Sequence, residues 1–273
     1  MPTVQYLKKK LRSIRSTQKI SKAMKTASTV KYSRINALYS EFSRYEQSCN
    51  RVYERCRADY DALFSGAPHN APEAFIVMAG NKGMCGSFNS ELLSFAEDII
   101  KSSESPLVFV CGKQAKAFFD GRGLPYEKNY VFSDVPSYSQ ASDLMGDVKR
   151  YIADGKISAV KIIYPKYSHM MKQTPTLCNL LGGSSEGESG EDLLFVPDKE
   201  SVIKGTEDKI FSARLYKMVL ETALGAQAAT LMTMRSAYDT ATELAHELEG
   251  QINRKRQSQV TADVIETAAE FSQ

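Results

Sequence analysis

The stretch VLETALGAQAATLMTMRSAYDTATELAHEL, residues 219–248, holds one glycine and no proline. Val219, Ala223, Ala226, Thr230, Thr233, Ala237, Ala241, Leu244 and Leu248 step along it by fours and threes. That spacing is close to the 3.5-residue repeat of a supercoiled helical seam. Many of these residues are Ala or Thr, so the spacing predicts a seam that a second helix can approach closely. The run extends from Lys209 to about Phe271 with one further glycine, Gly250. A helix of this length needs a partner along it.

The other end of the chain offers one. From Tyr6 to Tyr60 there is neither proline nor glycine, and apolar or small residues recur at Leu7, Leu11, Ile14, Ile20, Met24, Ala27, Val30, Leu38 and Phe42. The period is helical. At 1.5 Å per residue such a helix would run roughly 80 Å, far more than one domain of this size spans. The two ends are therefore expected to form a long antiparallel coiled coil, residues 1–60 with 209–273.

Residues 61–208 have another texture. AFIVMA (74–79), LVFVCG (107–112), AVKIIYP (159–165) and DLLFVPD (192–198) are short apolar runs with helical stretches between the first three, which predicts an open α/β, Rossmann-like sheet domain. SGAPHNAPE (65–73) reads as a turn-rich link and GGSSEGESGE (182–191) as a mobile loop. The fold class is α/β, with the coil added to the sheet.

The stretch GNKGMCGSFN (80–89), between a strand and a helix start, raises the question of a phosphate site. Gly80, Gly83 and Gly86 are spaced by three, with no following Lys-Ser or Lys-Thr, so a Walker loop is excluded. No G-x-G occurs in this stretch, so the dinucleotide fingerprint fails too. The glycines are better read as a tight turn, with Ser87 or Asn89 capping the helix. No H-E-x-x-H is present, and the sequence offers no catalytic residue.

Composition sets further bounds. The chain has 273 residues, 42% of them hydrophobic, and a net charge of +3. No window is apolar enough to span a bilayer, and the start lacks the apolar core of a secretory signal. The five cysteines are dispersed without a C-x-x-C pair, and His69, His169 and His246 are scattered, so neither a disulfide framework nor a metal site is expected. Residues 1–40 carry ten Lys or Arg and no acid, whereas 41–210 carry 19 basic and 24 acidic residues. The basic end calls for an acidic partner. Read from charge alone, that partner could be a nucleic acid; a nucleotide-dependent enzyme would need a loop or cluster that the sequence does not supply.

Three stretches together carry a resemblance: RSIRSTQKISKAMKTAS (12–28), GNKGMCGSFN (80–89) and NRKRQSQVTADVIETA (253–268). They are similar, in order and spacing, to the signature regions of the gamma subunit of the F-type ATP synthase: I-x-x-T-Q-K-I-T-K-A-M, S-D-x-G-L-C-G-x-x-N and N-x-x-R-Q-x-x-I-T-x-E. The resemblance implies a central rotor shaft without catalytic residues, cofactor or metal. It would couple ion flow to ATP synthesis or hydrolysis on the beta subunits. It also implies alpha and beta subunits, the epsilon subunit and the c-subunit ring as partners, no nucleic acid, and contact with a membrane only through the c ring. By motif match Arg256, Gln257 and Thr261 would meet loops of beta, and Lys22, Met24 and Lys25 would face acidic segments of beta. The motif starts at Ile14, leaving no room for a transit peptide, and no cysteine pair lies near residue 190. Both features imply the cytoplasmic side of a bacterial plasma membrane. Gly80-Asn81, Gly86-Ser87 and Asp263 depart from the family pattern.

Overall fold

A computed structural model describes residues 3–56, 59–60, 71–181, 195–196 and 198–270. Most of the 65–73 link, all of the 182–191 loop and much of the 192–198 run lie outside the described residues. Within that run Phe195, Val196 and Asp198 are described and carry no strand. In chain order the elements are α1 (Val4–Arg55), β1 (Glu73–Met78), α2 (Phe88–Lys101), β2 (Leu107–Cys111), α3 (Lys113–Arg122), β3 (Lys128–Tyr130), α4 (Tyr138–Ala153), β4 (Ala159–His169), β5 (Lys172–Leu181) and α5 (Lys199–Glu270). Helix α5 starts where the Asp198 carboxylate accepts from the Ser201 N–H at 2.9 Å and the Ser201 hydroxyl at 2.8 Å, which satisfies a donor that a helix start leaves unpaired.

The chain divides into two compact units, Met1–Ser28 with Thr230–Gln273, and Thr29–Ala229. In the first, Leu7, Ser21 and Ser28 of α1 and Met234, Ala241, Ala245 and Leu248 of α5 are buried. Their spacing is in sevens, fours and threes, as a coiled-coil seam requires. Cross-links run in opposite senses on the two helices. Arg15 pairs with Glu249 at 2.7 Å, Gln18 donates to Thr242 at 2.8 Å, and the Lys25 ammonium lies 5.0 Å from the centre of the Tyr238 ring. The pair is antiparallel, as the sequence predicts.

Leu7, Ala241 and Leu248 stand in the seam as the spacing predicts, but three other positions are turned by one residue. Ile20 (58% exposed), Ala27 and Leu244 (42% exposed) point outward, and Ser21, Ser28 and Ala245 take the inner places. One helical residue turns the side chain through 100°, so a seam of small residues can sit beside a row of larger apolar ones. Hydrophobicity alone selects the larger row. Close approach selects the smaller one.

In the second unit the sheet order is β3-β2-β1-β4-β5, parallel except for β5 against β4. Strand residues alternate between two cores. Ala74, Ile76, Met78, Phe109, Cys111, Val160 and Ile162 face a core shared with α1, α4 and α5, and Phe75, Val77, Val108, Val110 and Ile163 face α2 and α3. Three of the four predicted apolar runs are β1, β2 and β4. Strand β5 escaped the pattern because its sequence, KQTPTLCNLL, is polar and interrupted by a proline. Pro175 lies directly opposite Pro165. Neither has an N–H to give, so this rung is one whose backbone groups point away from the partner strand, the position an edge strand tolerates.

Helix α5 is buried nearly all round in this unit between Ile210 and Leu224. The Lys217 ammonium pairs with Glu46 of α1 at 2.5 Å. One turn on, the buried Glu221 carboxylate accepts from the Tyr39 hydroxyl of α1 at 3.1 Å and from the Tyr167 N–H of β4 at 3.2 Å. Another turn on, a side-chain carbon at Gly225 would lie 3.0 Å from Phe88 and 3.1 Å from Gln173.

Two predictions follow from this packing. Gly112 has φ +98° and an added Cβ would lie 2.2 Å from the Ala79 carbonyl oxygen, whereas nothing lies within 4 Å of one at Gly83. Gly112→Ala should therefore lower the unfolding free energy by at least about 3 kcal/mol and Gly83→Ala by less than about 1 kcal/mol, read by urea unfolding. Burial raises the Glu221 carboxyl above its ordinary range, outweighing the Tyr167 and Tyr39 hydrogen bonds that lower it. A raised folded-state value means that this group's contribution is full below the unfolded carboxyl pKa and is lost as pH rises through the folded one. Glu221→Gln should accordingly gain stability relative to the parent as pH rises from about 4, the unfolded carboxyl value, through the raised folded one; a pH-independent difference would contradict that sign.

Candidate functional site

The glycine loop lies between β1 and α2, where open α/β folds place phosphates. In this chain the loop's polar groups bind one another. The Gly80 N–H donates to Asn89 Oδ1 at 2.9 Å, and Asn89 Nδ2 donates to the Lys82 carbonyl at 3.1 Å and to Cys85 Sγ at 3.0 Å. Asn89 thus occupies, with its own carboxamide, the place an anion would take. It does not cap α2. Ser87 stands at the N-cap position without a side-chain bond, so the predicted capping by Ser87 or Asn89 is replaced by this inward turn of Asn89. Of the three glycines, Gly86 has positive φ (61°) and Gly80 is packed 3.1 Å, at a virtual Cβ, from Asn89 Oδ1, while Gly83 is open.

The rest of the loop is tied to its neighbours. Asn81 donates to the Phe132 carbonyl at 2.7 Å and accepts from the Lys113 N–H at 3.2 Å. Lys82, at 2.9 Å, and Lys31 of α1 both donate to the Asp134 carboxylate. Those two hydrogen bonds hold the Asp134 carboxyl below its usual range. Cys85 is buried, and burial pushes its thiol up, which keeps it protonated and unreactive. All five cysteines are free. No group of His, Cys, Asp or Glu among the described residues could hold a metal ion.

The six residues singled out for partner contact all lie in the first unit, in two sets. Lys22 is exposed, and Met24 and Lys25 are half-buried, with Lys25 over Tyr238. Arg256, Gln257 and Thr261 are exposed and, with Asn253 and Val260, line a shallow groove along α5. The Thr261 hydroxyl donates to the Gln257 carbonyl at 2.9 Å. Eighteen residues of α5 separate Tyr238 from Arg256, about 27 Å along the axis at 1.5 Å per residue. The two sets therefore cannot serve one small ligand. They can serve one extended partner, or several.

The apolar residues past Leu248 bear on the same point. The seam of Ala241, Ala245 and Leu248 continues by threes and fours to Ile252 and Lys255, then to Gln259 and Ala262. Val260, Val264 and Ile265 are exposed and off that line. Their apolar row is not an extension of the surface that packs on α1.

Sequence reasoning passed over Glu221 and Asp134. Glu221 carried a signal, being the sole acid between Asp208 and Asp239. Asp134 carried none, since its two lysines lie 103 and 52 residues away in the chain.

Comparison with known proteins fits this geometry. A family model described as ATP synthase matches residues 3–270. The ATP synthase gamma chain of Rubrobacter xylanophilus is 26% identical, with 98% of this chain and 97% of the relative covered. That of Pelotomaculum thermopropionicum is also 26% identical, with 97% of each covered. Among solved structures, a chain of the Euglena gracilis mitochondrial ATP synthase rotor superposes with a TM-score of 0.70 at 16% identity, covering 94% of this chain and 98% of that one. A chain of the central stalk and c ring of the Tetrahymena thermophila enzyme gives a TM-score of 0.64 at 15% identity, covering 80% and 99%. Since the family model takes in nearly the whole chain, and full-length gamma chains align with it end to end, this chain belongs to the gamma-subunit family of the F-type ATP synthase.

Proposed function

We propose that the chain is the central rotor shaft of an F-type ATP synthase, carrying torque between a membrane c ring and a ring of three alpha and three beta subunits. The observation that carries this reading is the antiparallel pairing of α1 with α5. A two-helix cross-section has no threefold symmetry, so each angular position offers three chemically identical beta subunits different contacts. Only such a difference in contact free energy can shift their nucleotide affinities.

In this reading the chain does no chemistry itself, and ATP is made or hydrolysed on beta. The self-bonded glycine loop supports that, since Gly80 and Asn89 use on each other the groups a phosphate would need. Arg256, Gln257 and Thr261 hydrogen-bond loops of beta, and Lys22, Met24 and Lys25 face acidic segments of beta. Val260, Val264 and Ile265 supply an apolar bearing surface. The basic charge of residues 1–40 acts as a bias, screened over about 8 Å at physiological ionic strength. Residues 61–208 form the body that meets the epsilon subunit and the c ring, and 1–60 and 209–273 the shaft. No described helix is long and apolar enough to cross a membrane; the chain is held at the cytoplasmic face of a bacterial plasma membrane through the c ring.

The test is reconstitution with purified alpha and beta subunits. ATPase activity that depends on this chain supports the reading, and a salt-sensitive complex with RNA or DNA in its place would favour the nucleic-acid alternative. Arg256→Ala with Gln257→Ala should cut turnover of the assembled enzyme severalfold. Both side chains are exposed, so the unfolding free energy of the isolated chain should change by no more than about 0.5 kcal/mol. Equal losses in turnover and folding would contradict a contact role.

A further inference from the structure

Strand β4 runs past the sheet. Its last partner in β1 is Ile163, opposite Val77, yet it continues to His169 with only β5 beside it. Among the described residues, one edge of β4 has no strand to pair with along this overhang, and an open edge must find other partners for its N–H groups. The Tyr167 N–H finds the Glu221 carboxylate at 3.2 Å. The same carboxylate takes the Tyr39 hydroxyl at 3.1 Å, and the Tyr167 hydroxyl is 2.7 Å from that of Tyr32. The Tyr39 and Tyr167 rings meet edge to face with centroids 6.3 Å apart. Glu221 is 5% exposed. The lysine one turn before it, Lys217, is bonded to Glu46.

From these contacts we infer that Glu221 is a positioning residue, a clamp that fixes the β4–β5 hairpin at one place on α1 and α5. Its function is directional: two donors, from α1 and β4, meet one carboxylate of α5 in a single arrangement, whereas apolar packing tolerates sliding. The inference rests on the rotor reading for its consequence. If the sheet-bearing part receives torque, its attachment to α5 must not yield under load. One of the two register shifts in the β4–β5 ladder, between Tyr167 and His169, lies at the clamp.

The first test needs no assembly. In the isolated chain, Glu221→Ala should speed amide exchange at Tyr167 and along the hairpin by about tenfold or more, the loss of one hydrogen bond to a charged group. Exchange in β1 and β2 should be unchanged, and Glu221→Gln should restore most of the protection. The second test uses the complete enzyme in liposomes, with ATP hydrolysis and ATP-driven ion uptake measured together. Glu221→Ala should retain hydrolysis while ions moved per ATP fall severalfold, with recovery in Glu221→Gln.

Unchanged exchange and unchanged ions per ATP would overturn the clamp. So would parallel loss of hydrolysis and uptake, which a merely destabilised subunit would give. Should Glu221→Ala fail to fold, Tyr39→Phe removes one donor and keeps the ring; parental exchange and coupling in that variant would equally overturn it. If the unaltered chain supports neither hydrolysis nor uptake, the rotor reading fails instead, and the exchange result still decides the clamp.

Discussion

The structure of the larger unit depends on how near other elements can come to α5 between Lys217 and Ala226. Gly225 and Ala226 are the reason they come so near. At Gly225 the rings and stems of Phe88 and Gln173 occupy the space of a missing side chain, and at Ala226 the methyl group lies 3.5 Å from a virtual Cβ on Gly80. The glycine loop, the start of α2 and the β4–β5 hairpin are thus gathered onto one helical face. A larger residue at 225 would move all three outward at once, because protein interiors are too dense to absorb a methyl group without displacement.

Close approach also explains why the glycine loop is not a ligand site. A phosphate loop keeps its N–H groups free and aims them at solvent until an anion arrives. Here the loop is pressed against α5, and a buried N–H without a partner would cost free energy. Asn89 supplies an acceptor for Gly80 and donors for Lys82 and Cys85. A single carboxamide closes the turn.

How much of this could be read in the sequence follows from the range of the interactions. The two terminal helices and three strands were legible, because periodicity in 3.6 and 2 is local and the runs are long or strongly apolar. The antiparallel pairing was legible because two unpartnered helices had only each other. The face of the seam was legible in part: Leu7, Ala241 and Leu248 are inside as the spacing has them, but hydrophobicity put Ile20 and Leu244 inside and packing put Ser21 and Ala245 there. Strand β5 was hidden by its polar residues and by Pro175, which an edge tolerates. The partner-contact residues were found only through motif resemblance, since nothing about an exposed Arg256 or Thr261 distinguishes it from an ordinary solvated helix face. Asp134, joined to Lys31 and Lys82 across long stretches of chain, leaves no trace in local sequence.

Glu221 shows why a buried carboxylate is retained where a leucine would hold the helices more firmly. Burial raises its pKa, so the charged form is destabilised relative to water at neutral pH. A hydrophobic residue of similar size would avoid that cost, and replacement of buried polar groups by apolar ones is often neutral or stabilising. An apolar side chain could not, however, accept the Tyr167 N–H at the unpaired edge of β4 or the Tyr39 hydroxyl. Both part-buried groups would then lose their acceptor, each at a penalty of up to about 1–3 kcal/mol. The carboxylate is therefore the smaller of two costs, and the open edge of an overhanging strand is what sets the comparison. A mixed sheet whose fourth strand outruns the first needs an acceptor from elsewhere, and α5, one turn before the contacts of Gly225 with Phe88 and Gln173, is where it is found.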